Sequence, residues 1–168
     1  MDRDLSQFRP SRLWRRLPLD RRIEAASLFW DDEHSEEQQM EAVASIANQM
    51  KFRPRSVIGL APDRRAKYLA QLPNVSDAIA ARALVNYHLE RQRPMMAAFL
   101  DALGIPHENG LITDETVPKP DEEKLKAAAA ELAATFDPAD VAMYLSTLVS
   151  QDPDTWGGLA DVPQISRG

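Results

Sequence analysis

Two six-residue stretches of this sequence nearly match: LPLDRR at Leu17–Arg22 and LAPDRR at Leu60–Arg65. In each stretch an aspartate follows a proline within two residues and is followed directly by an arginine pair. Aspartate and proline are typical of helix starts, because a carboxylate can accept a backbone N–H there and proline needs no N–H partner. We therefore expect each stretch to begin a helix, with Asp20 and Asp63 as N-cap residues.

The same plan follows each match and occurs a third time later in the chain. An aspartate opens a helical pattern, a second helical pattern follows, and a proline closes the unit. The three units span about residues 20–54, 63–94 and 121–153. Units of this length are typical of stacked helical hairpins. The sequence therefore predicts an all-α fold of packed helical hairpins in one domain over residues 1–156, either a short irregular repeat or an irregular bundle.

Apolar residues recur at helical spacing through most of the chain, and this spacing predicts eight to ten helices. One such stripe is Met40, Val43, Ala47 and Met50, which we expect to face the core. The segment 104–120 has no helical pattern, and its Asn109-Gly110 pair predicts either a small hairpin or a pinned loop. Residues 157–168 are expected to form a loose tail.

The composition excludes several classes of protein. No cysteine is present, so disulfides, thiolate metal sites and a cysteine nucleophile are excluded. The first residues lack the apolar stretch of a signal peptide, and no apolar run approaches the roughly 20 residues of a membrane span. We expect a soluble, cytoplasmic protein without a membrane partner.

The formal net charge of −6 conceals an uneven distribution of charge along the chain. Up to Arg93 there are 16 basic and 13 acidic residues, a balance of +3, and from Pro94 onward there are 4 and 13, a balance of −9. Arginines crowd the first 22 positions. An acidic surface, on a partner or on the second half of this chain, is therefore the expected counterpart of these arginines.

Motifs of catalysis and cofactor binding are missing from the sequence. There is no glycine-rich phosphate loop and no Gly-x-Ser-x-Gly elbow. His34 and Glu37 could share a metal ion, but a site needs three or more convergent ligands, so no metal and no cofactor are expected. His88 and His107 could line a pocket near the 104–120 loop if the fold brings them together. We expect no catalytic residues.

The N-terminal stretch FRPSRLWRRLPLDRR combines arginines with Trp14 and could grip a phosphate backbone while stacking a base. The acidic composition argues against a dedicated nucleic-acid binder. The competing interpretation is structural: Trp14 and Leu17 pack, and the neighbouring arginines pair with carboxylates of the C-terminal half.

Three functional hypotheses remain open. The favoured one is a non-enzymatic helical protein-interaction module, because an arginine in the first turn of a helix faces the unfavourable end of the dipole and calls for an acidic counterpart. Its expected contact residues are Arg21, Arg22, Arg64, Arg65, Trp14, Arg15 and Arg16. The alternatives are a small-molecule binder or enzyme with a pocket near the 104–120 loop, and a nucleic-acid-associated protein acting through the N-terminal arginines.

Overall fold

The computed structural model describes residues 5–166 and confirms the all-α prediction. Its α-helices are α1 (Pro10–Arg16), α2 (Leu19–Asp31), α3 (Glu36–Met50), α4 (Pro54–Ile58), α5 (Pro62–Gln71), α6 (Asp77–Arg91), α7 (Arg93–Leu103), α8 (Glu122–Thr135), α9 (Pro138–Gln151), α10 (Pro153–Trp156) and α11 (Pro163–Ser166). The described residues also contain 3-10 helices at Ser6–Phe8 and Gly157–Asp161 and the strands β1 (His107–Glu108) and β2 (Leu111–Ile112). The eleven α-helices exceed the expected eight to ten because α4, α10 and α11 have five residues or fewer.

The contacts of the chain separate into two compact units. The N-terminal unit is Pro10–Glu90, and the C-terminal unit comprises the described residues 91–166 together with residues 5–9. The single domain expected over residues 1–156 stays a prediction.

In the N-terminal unit, α2 packs most extensively against α5. The buried residues of α2 are Ala25, Ala26 and Phe29, and those of α5 are Ala66, Leu69 and Ala70. Alanine on both faces lets the two backbones approach closely. The first helices of the first two predicted units therefore pack against each other.

The two matched stretches do begin helices, but Asp20 and Asp63 are not their N-caps. The N-cap residues are Pro18 for α2 and Ala61 for α5, and neither cap has a side-chain hydrogen bond. The helices begin one residue before each aspartate because Leu19 and Pro62 already adopt helical geometry. Each arginine pair consequently occupies the third and fourth helical positions, still beside the positive end of the dipole.

The apolar stripe predicted along α3 is only half correct. Val43 and Ala47 are buried, whereas Met40 is 59% exposed and Met50 is 40% exposed. The buried face of α3 instead uses Ala42, Val43, Ile46 and Ala47. The two methionines therefore lie in solvent near the two ends of the helix.

In the C-terminal unit, α8 packs against α7 and α9. Phe99 of α7 is fully buried and contacts the rings of Tyr144 and Trp156, with ring centroids 5.7 and 5.9 Å apart. Edge-on and tilted aromatic contacts of this kind stabilise a core beyond the burial of apolar area alone.

The connection between α7 and α8 contains the small hairpin that the Asn-Gly pair predicts. β1 and β2 are antiparallel, with His107 opposite Ile112 and Glu108 opposite Leu111. Asn109 and Gly110 have positive φ angles of 49° and 88°, as a tight two-residue hairpin turn requires.

Residues 157–166, the described part of the expected loose tail, are ordered against α9. They form a 3-10 helix and α11, which contact α9. Leu159, Val162 and Ile165 recur at a spacing of three residues and are all buried. Such spacing suits a short helical segment that lies against a larger helix.

No helix among residues 5–166 combines the length and the apolar character that crossing a bilayer requires.

Candidate protein-interaction surface

Three of the six arginines that the sequence singles out contact other residues of the N-terminal unit, whereas Arg16 is exposed. The Arg15 guanidinium donates to the Pro73 carbonyl oxygen at 3.3 Å and to Asn74 Oδ1 at 3.1 Å. Arg21 donates to the Tyr87 hydroxyl at 3.3 Å. These contacts fasten α1 to the connection between α5 and α6 and α2 to the body of α6, so part of the arginine cluster is structural.

The tryptophan of the N-terminal stretch is also structural. Trp14 is 1% exposed and Leu17 is 2% exposed, so both side chains pack as the structural interpretation expects. The partners of Arg15 are a carbonyl and an amide rather than the expected carboxylate.

The two matched arginine pairs differ in their surroundings. The Arg65 guanidinium lies 5.0 Å from the ring centroid of Trp30, at the distance of a cation–π contact. Arg22 is half-buried, and its Nε has no hydrogen-bond partner among the described residues. Arg64 is exposed, and its side chain makes no ion pair or hydrogen bond in residues 5–166.

Arg64 belongs to a group of exposed cations around the end of α3 and the start of α5, which we call the cationic face. Its members are Lys51, Arg53, Arg55, Arg64 and Lys67. All five side chains are exposed, and none has an ion-pair or hydrogen-bond partner in the described part of the chain. Unpaired cations with free donors are suited to bind an acidic surface.

An aromatic contact holds the two segments of the cationic face together. The rings of Phe52 and Tyr68 meet edge to face, with centroids 5.5 Å apart. Lys51 and Arg53 flank Phe52, and Lys67 directly precedes Tyr68. The Phe52–Tyr68 contact therefore brings cations of the connection between α3 and α4 close to a cation of α5.

Sequence reasoning found Arg64 and missed Lys51, Arg53 and Arg55. A signal for them was present, because no acidic residue occurs between Glu41 and Asp63. Over residues 51–67 six basic residues stand against Asp63 alone, a balance of +5. Half-chain totals conceal this run of positive charge.

The opposite charge collects at the turn from α2 to α3. Residues 31–41 carry six acidic side chains (Asp31, Asp32, Glu33, Glu36, Glu37 and Glu41) and no Lys or Arg. A cavity of about 350 Å3 at this turn is lined by Leu28, Asp31, Asp32, Glu33, His34, Asn86 and Glu90. Arg82 lines a neighbouring cavity together with Glu33, Glu36 and Glu37.

Asp32 is the structural member of this acidic group. Its carboxylate accepts the Ser35 hydroxyl, the Asn86 side-chain amide at 3.0 Å and the His34 backbone N–H at 3.2 Å. The hydrogen bond from Ser35, then those from Asn86 and His34, hold the pKa of Asp32 below its usual value against the opposing effect of burial. Asp32 thus fixes the turn, while the other five carboxylates stay exposed.

His88 and His107 lie in different settings, and His34 lines the cavity at the turn from α2 to α3. His88 is buried in the N-terminal unit, and its Nδ1 donates to the Leu84 carbonyl at 2.8 Å. Burial lowers the pKa of His88 to about 4, so the ring is neutral at pH 7. His107 belongs to the C-terminal unit, where Nε2 lies 2.7 Å from Asp101 Oδ1 and Nδ1 accepts the Gly110 N–H.

The pocket expected near the 104–120 loop has a volume of about 480 Å3. It is lined by Leu103, Gly104, Ile105, Pro106, Asp114, Val117, Pro118, Lys119, Pro120, Asp121 and Lys124, and neither His88 nor His107 is among these residues. The lining contains two lysines and two aspartates, so its charges cancel and favour neither an anionic nor a cationic ligand. Within residues 5–166 no group of three or more His, Asp or Glu side chains could hold a metal ion.

Comparison with protein-family models, with curated proteins and with solved structures finds no match to this chain.

Proposed function

We propose that this protein is a non-enzymatic interaction module whose cationic face binds an acidic protein surface. The observation that carries the proposal is the set of five exposed cations without partners on one region of the N-terminal unit. Charges arranged in this way steer an acidic partner and fix its register. The proposal keeps the cytoplasmic setting expected from the cysteine-free sequence.

Apolar residues beside the cationic face favour a protein over a nucleic acid as the partner. Met50 and Ile58 are 40% and 52% exposed, and both lie in the same stretch as Lys51, Arg53 and Arg55. Protein interfaces combine apolar anchors with a charged rim, whereas single-stranded nucleic acids need exposed aromatic rings for stacking. Phe52 and Tyr68 are half-buried and contact each other, so they supply no such platform.

The titratable groups with shifted pKa values support a role other than catalysis. Burial lowers the pKa of His88 and raises the pKa of Tyr144, and hydrogen bonds that close a turn lower the pKa of Asp32. Perturbed groups at active sites are gathered in a cleft around a reacting atom. Here each shift has a structural cause within its own packing.

The proposal is tested by capture from an extract of the source cell, in parallel with retention on immobilised poly-L-glutamate. The face variant Arg53→Glu/Arg55→Glu is compared with Lys119→Glu/Lys124→Glu, which changes exposed lysines of the C-terminal unit. Both variants change the net charge by −4. The wild type and the control should retain the acidic protein, and the face variant should bind it at least about tenfold more weakly, since a buried charge pair is worth about 1.4 kcal/mol or more.

Two results would overturn the proposal. One is capture that nuclease treatment abolishes, because the partner would then be a nucleic acid. The other is equal retention of the acidic protein by the face variant and the control, which would show that the cationic face takes no part.

A further inference from the structure

The two ends of α3 carry opposite charge. At its start lie the exposed carboxylates Glu36, Glu37 and Glu41, which we call the acidic end. Directly after its last residue lie the exposed cations Lys51, Arg53 and Arg55, which we call the basic end and which form part of the cationic face. No side chain of either end has an ion-pair or hydrogen-bond partner within residues 5–166. Three free charges at one end thus match three of opposite sign at the other.

The two ends do not neutralise each other within one molecule. Glu37 and Lys51 are fourteen residues apart, which corresponds to about 21 Å along a helix that rises 1.5 Å per residue. The Debye length at physiological ionic strength is about 8 Å, so charges at this separation are largely screened from each other. Each end is therefore available to charges from another molecule.

The helix dipole explains only part of this arrangement. Acidic side chains in the first turn and a cation at the C-cap stabilise a helix, which accounts for Glu36, Glu37 and Lys51. The effect fades within one turn. Glu41 lies in the second turn and Arg53 lies beyond the end of α3, so the dipole of α3 does not account for these two charges. Arg55 lies in α4, in the last turn of that helix.

Both ends also expose large apolar side chains. Met40 is 59% exposed and lies between the carboxylates of the acidic end, four residues after Glu36 and three after Glu37, on the same helix face. Met50 and Ile58 flank the basic end. Of the five large hydrophobic side chains found exposed in the described residues, Met40 and Met50 therefore lie on α3 near its two ends, and Ile58 is the last residue of α4.

We propose that the basic end of one molecule binds the acidic end of a second copy of this chain, so that the molecules associate head to tail. The inference rests on the proposed function and names its acidic partner. Carboxylates of one copy meet Lys51, Arg53 and Arg55 of the next, and Met40 packs beside Met50 and Ile58. The two surfaces are different patches, so the contact is heterologous and continues into a chain or closes into a ring.

The test measures the mass of the protein in solution by sedimentation velocity. At about 0.01 M salt, where the Debye length is about 30 Å, the wild type should form oligomers that grow with protein concentration. At about 1 M salt, where the Debye length is about 3 Å, it should return to the monomer. A wild type that remains monomeric at low salt and high concentration overturns the inference.

Two charge-reversal variants locate the interface. Glu37→Lys/Glu41→Lys makes both ends basic, and Arg53→Glu/Arg55→Glu makes both ends acidic. Each variant alone should be monomeric, and an equimolar mixture of the two should associate again, because every contact in the mixture joins opposite charges. Circular dichroism establishes that both variants are folded, and a mixture of folded variants that stays monomeric overturns the inference.

The two variants also separate the proposed contact from an effect of net charge. The first changes the net charge from −6 to −2 and the second to −10. If net repulsion alone controlled association, the first variant would associate more strongly than the wild type. Such a result, or loss of association in the control Lys119→Glu/Lys124→Glu, would place the contact elsewhere and overturn the inference.

Failure of this inference is distinguishable from failure of the proposed function. Glu37→Lys/Glu41→Lys leaves the cationic face intact, so it should still be retained on poly-L-glutamate. If the wild type is monomeric but binds an acidic protein through Arg53 and Arg55, the proposed self-association is wrong and the proposed function is supported. If Arg53→Glu/Arg55→Glu is retained on poly-L-glutamate as strongly as the wild type, the proposed function itself is wrong.

Discussion

Gly110 shows at the scale of one residue how the small hairpin is attached to α7. Its φ angle is 88°, and a Cβ at this position would lie 2.9 Å from Met96 Cβ and 3.1 Å from the Arg93 carbonyl oxygen. Arg93 also donates to the Asn109 carbonyl at 3.0 Å. The turn therefore lies directly against the first turn of α7, and glycine is required for both its backbone angle and its lack of a side chain.

The variants Gly110→Ala and Gly104→Ala separate these two requirements. Gly104 has a φ angle of 70° at the end of α7, with open space where a Cβ would lie. We expect Gly104→Ala to lower the free energy of unfolding by about 1 kcal/mol through backbone strain alone. Gly110→Ala should lower it by about 2–4 kcal/mol, because overpacking adds to the strain. Urea denaturation measures both free energies of unfolding. Equal losses for the two variants would show that α7 shifts to accommodate the added Cβ without destabilising the fold.

The hairpin also marks the limit of sequence reasoning at this scale. The Asn-Gly pair predicts the turn because both residues tolerate positive φ. The close approach of Gly110 to Met96 depends on how the hairpin folds back onto the first turn of α7. No local pattern encodes that distance.

At the scale of elements, the matched arginine pairs show one sequence motif with two outcomes. Arg64 and Arg65 are neighbours in the first turn of α5, yet Arg64 extends into solvent and Arg65 lies over Trp30. The proline and aspartate that precede Arg64 predict that a helix starts here. They do not predict that α5 packs against α2, which is what brings Arg65 to Trp30 near the end of α2.

Replacing each of these arginines by glutamine should change stability in opposite directions. Arg64→Gln removes an unpaired cation from the positive end of the dipole and should raise the free energy of unfolding by about 0.3–1 kcal/mol. Arg65→Gln also loses the contact with Trp30 and should lower it by about 1 kcal/mol. Thermal and urea denaturation provide the comparison. A gain in stability for both variants would mean that the stacked contact contributes nothing.

The helix starts and the helix pair α8–α9 follow from proline, aspartate and apolar spacing, all of which act over a few residues. The pairing of α2 with α5 was not predictable in this way. It depends on alanines at matching positions of two helices that are separated by α3 and α4. Which two helices pack together depends on how well the surfaces of their buried faces fit each other. The apolar periodicity of one helix contains no information about that fit.

At the scale of the whole molecule, the positions of the charged clusters on the surface could be determined only from the structure. The half-chain count up to Arg93 gives only +3 because the acidic stretch 31–41 and the basic stretch 51–67 nearly cancel. The fold places the acidic end and the basic end, as defined above, at opposite ends of α3. A sum over sequence loses this polarity, and therefore also loses the candidate interaction surface.

His88 should make the whole N-terminal unit sensitive to mild acid. Its pKa is about 4 in the folded protein because the ring is buried, and 6.5 is the usual value that applies to the unfolded chain. Between these values the unfolded chain binds the proton that the folded chain excludes. The free energy of unfolding must then fall as the pH falls from 6.5 towards 4.

The variant His88→Asn tests this link, because asparagine keeps a donor for the Leu84 carbonyl and does not titrate. Relative to this variant, the wild type should lose about 2 kcal/mol of unfolding free energy between about pH 7 and pH 5. The window lies above the usual 3.8 of Asp32, whose stabilising contribution is lost only at lower pH because its folded pKa is depressed. Urea denaturation at both pH values, followed by far-UV circular dichroism, gives the difference. Parallel pH profiles of the wild type and the variant would show that His88 is protonated in the folded protein as readily as in the unfolded chain.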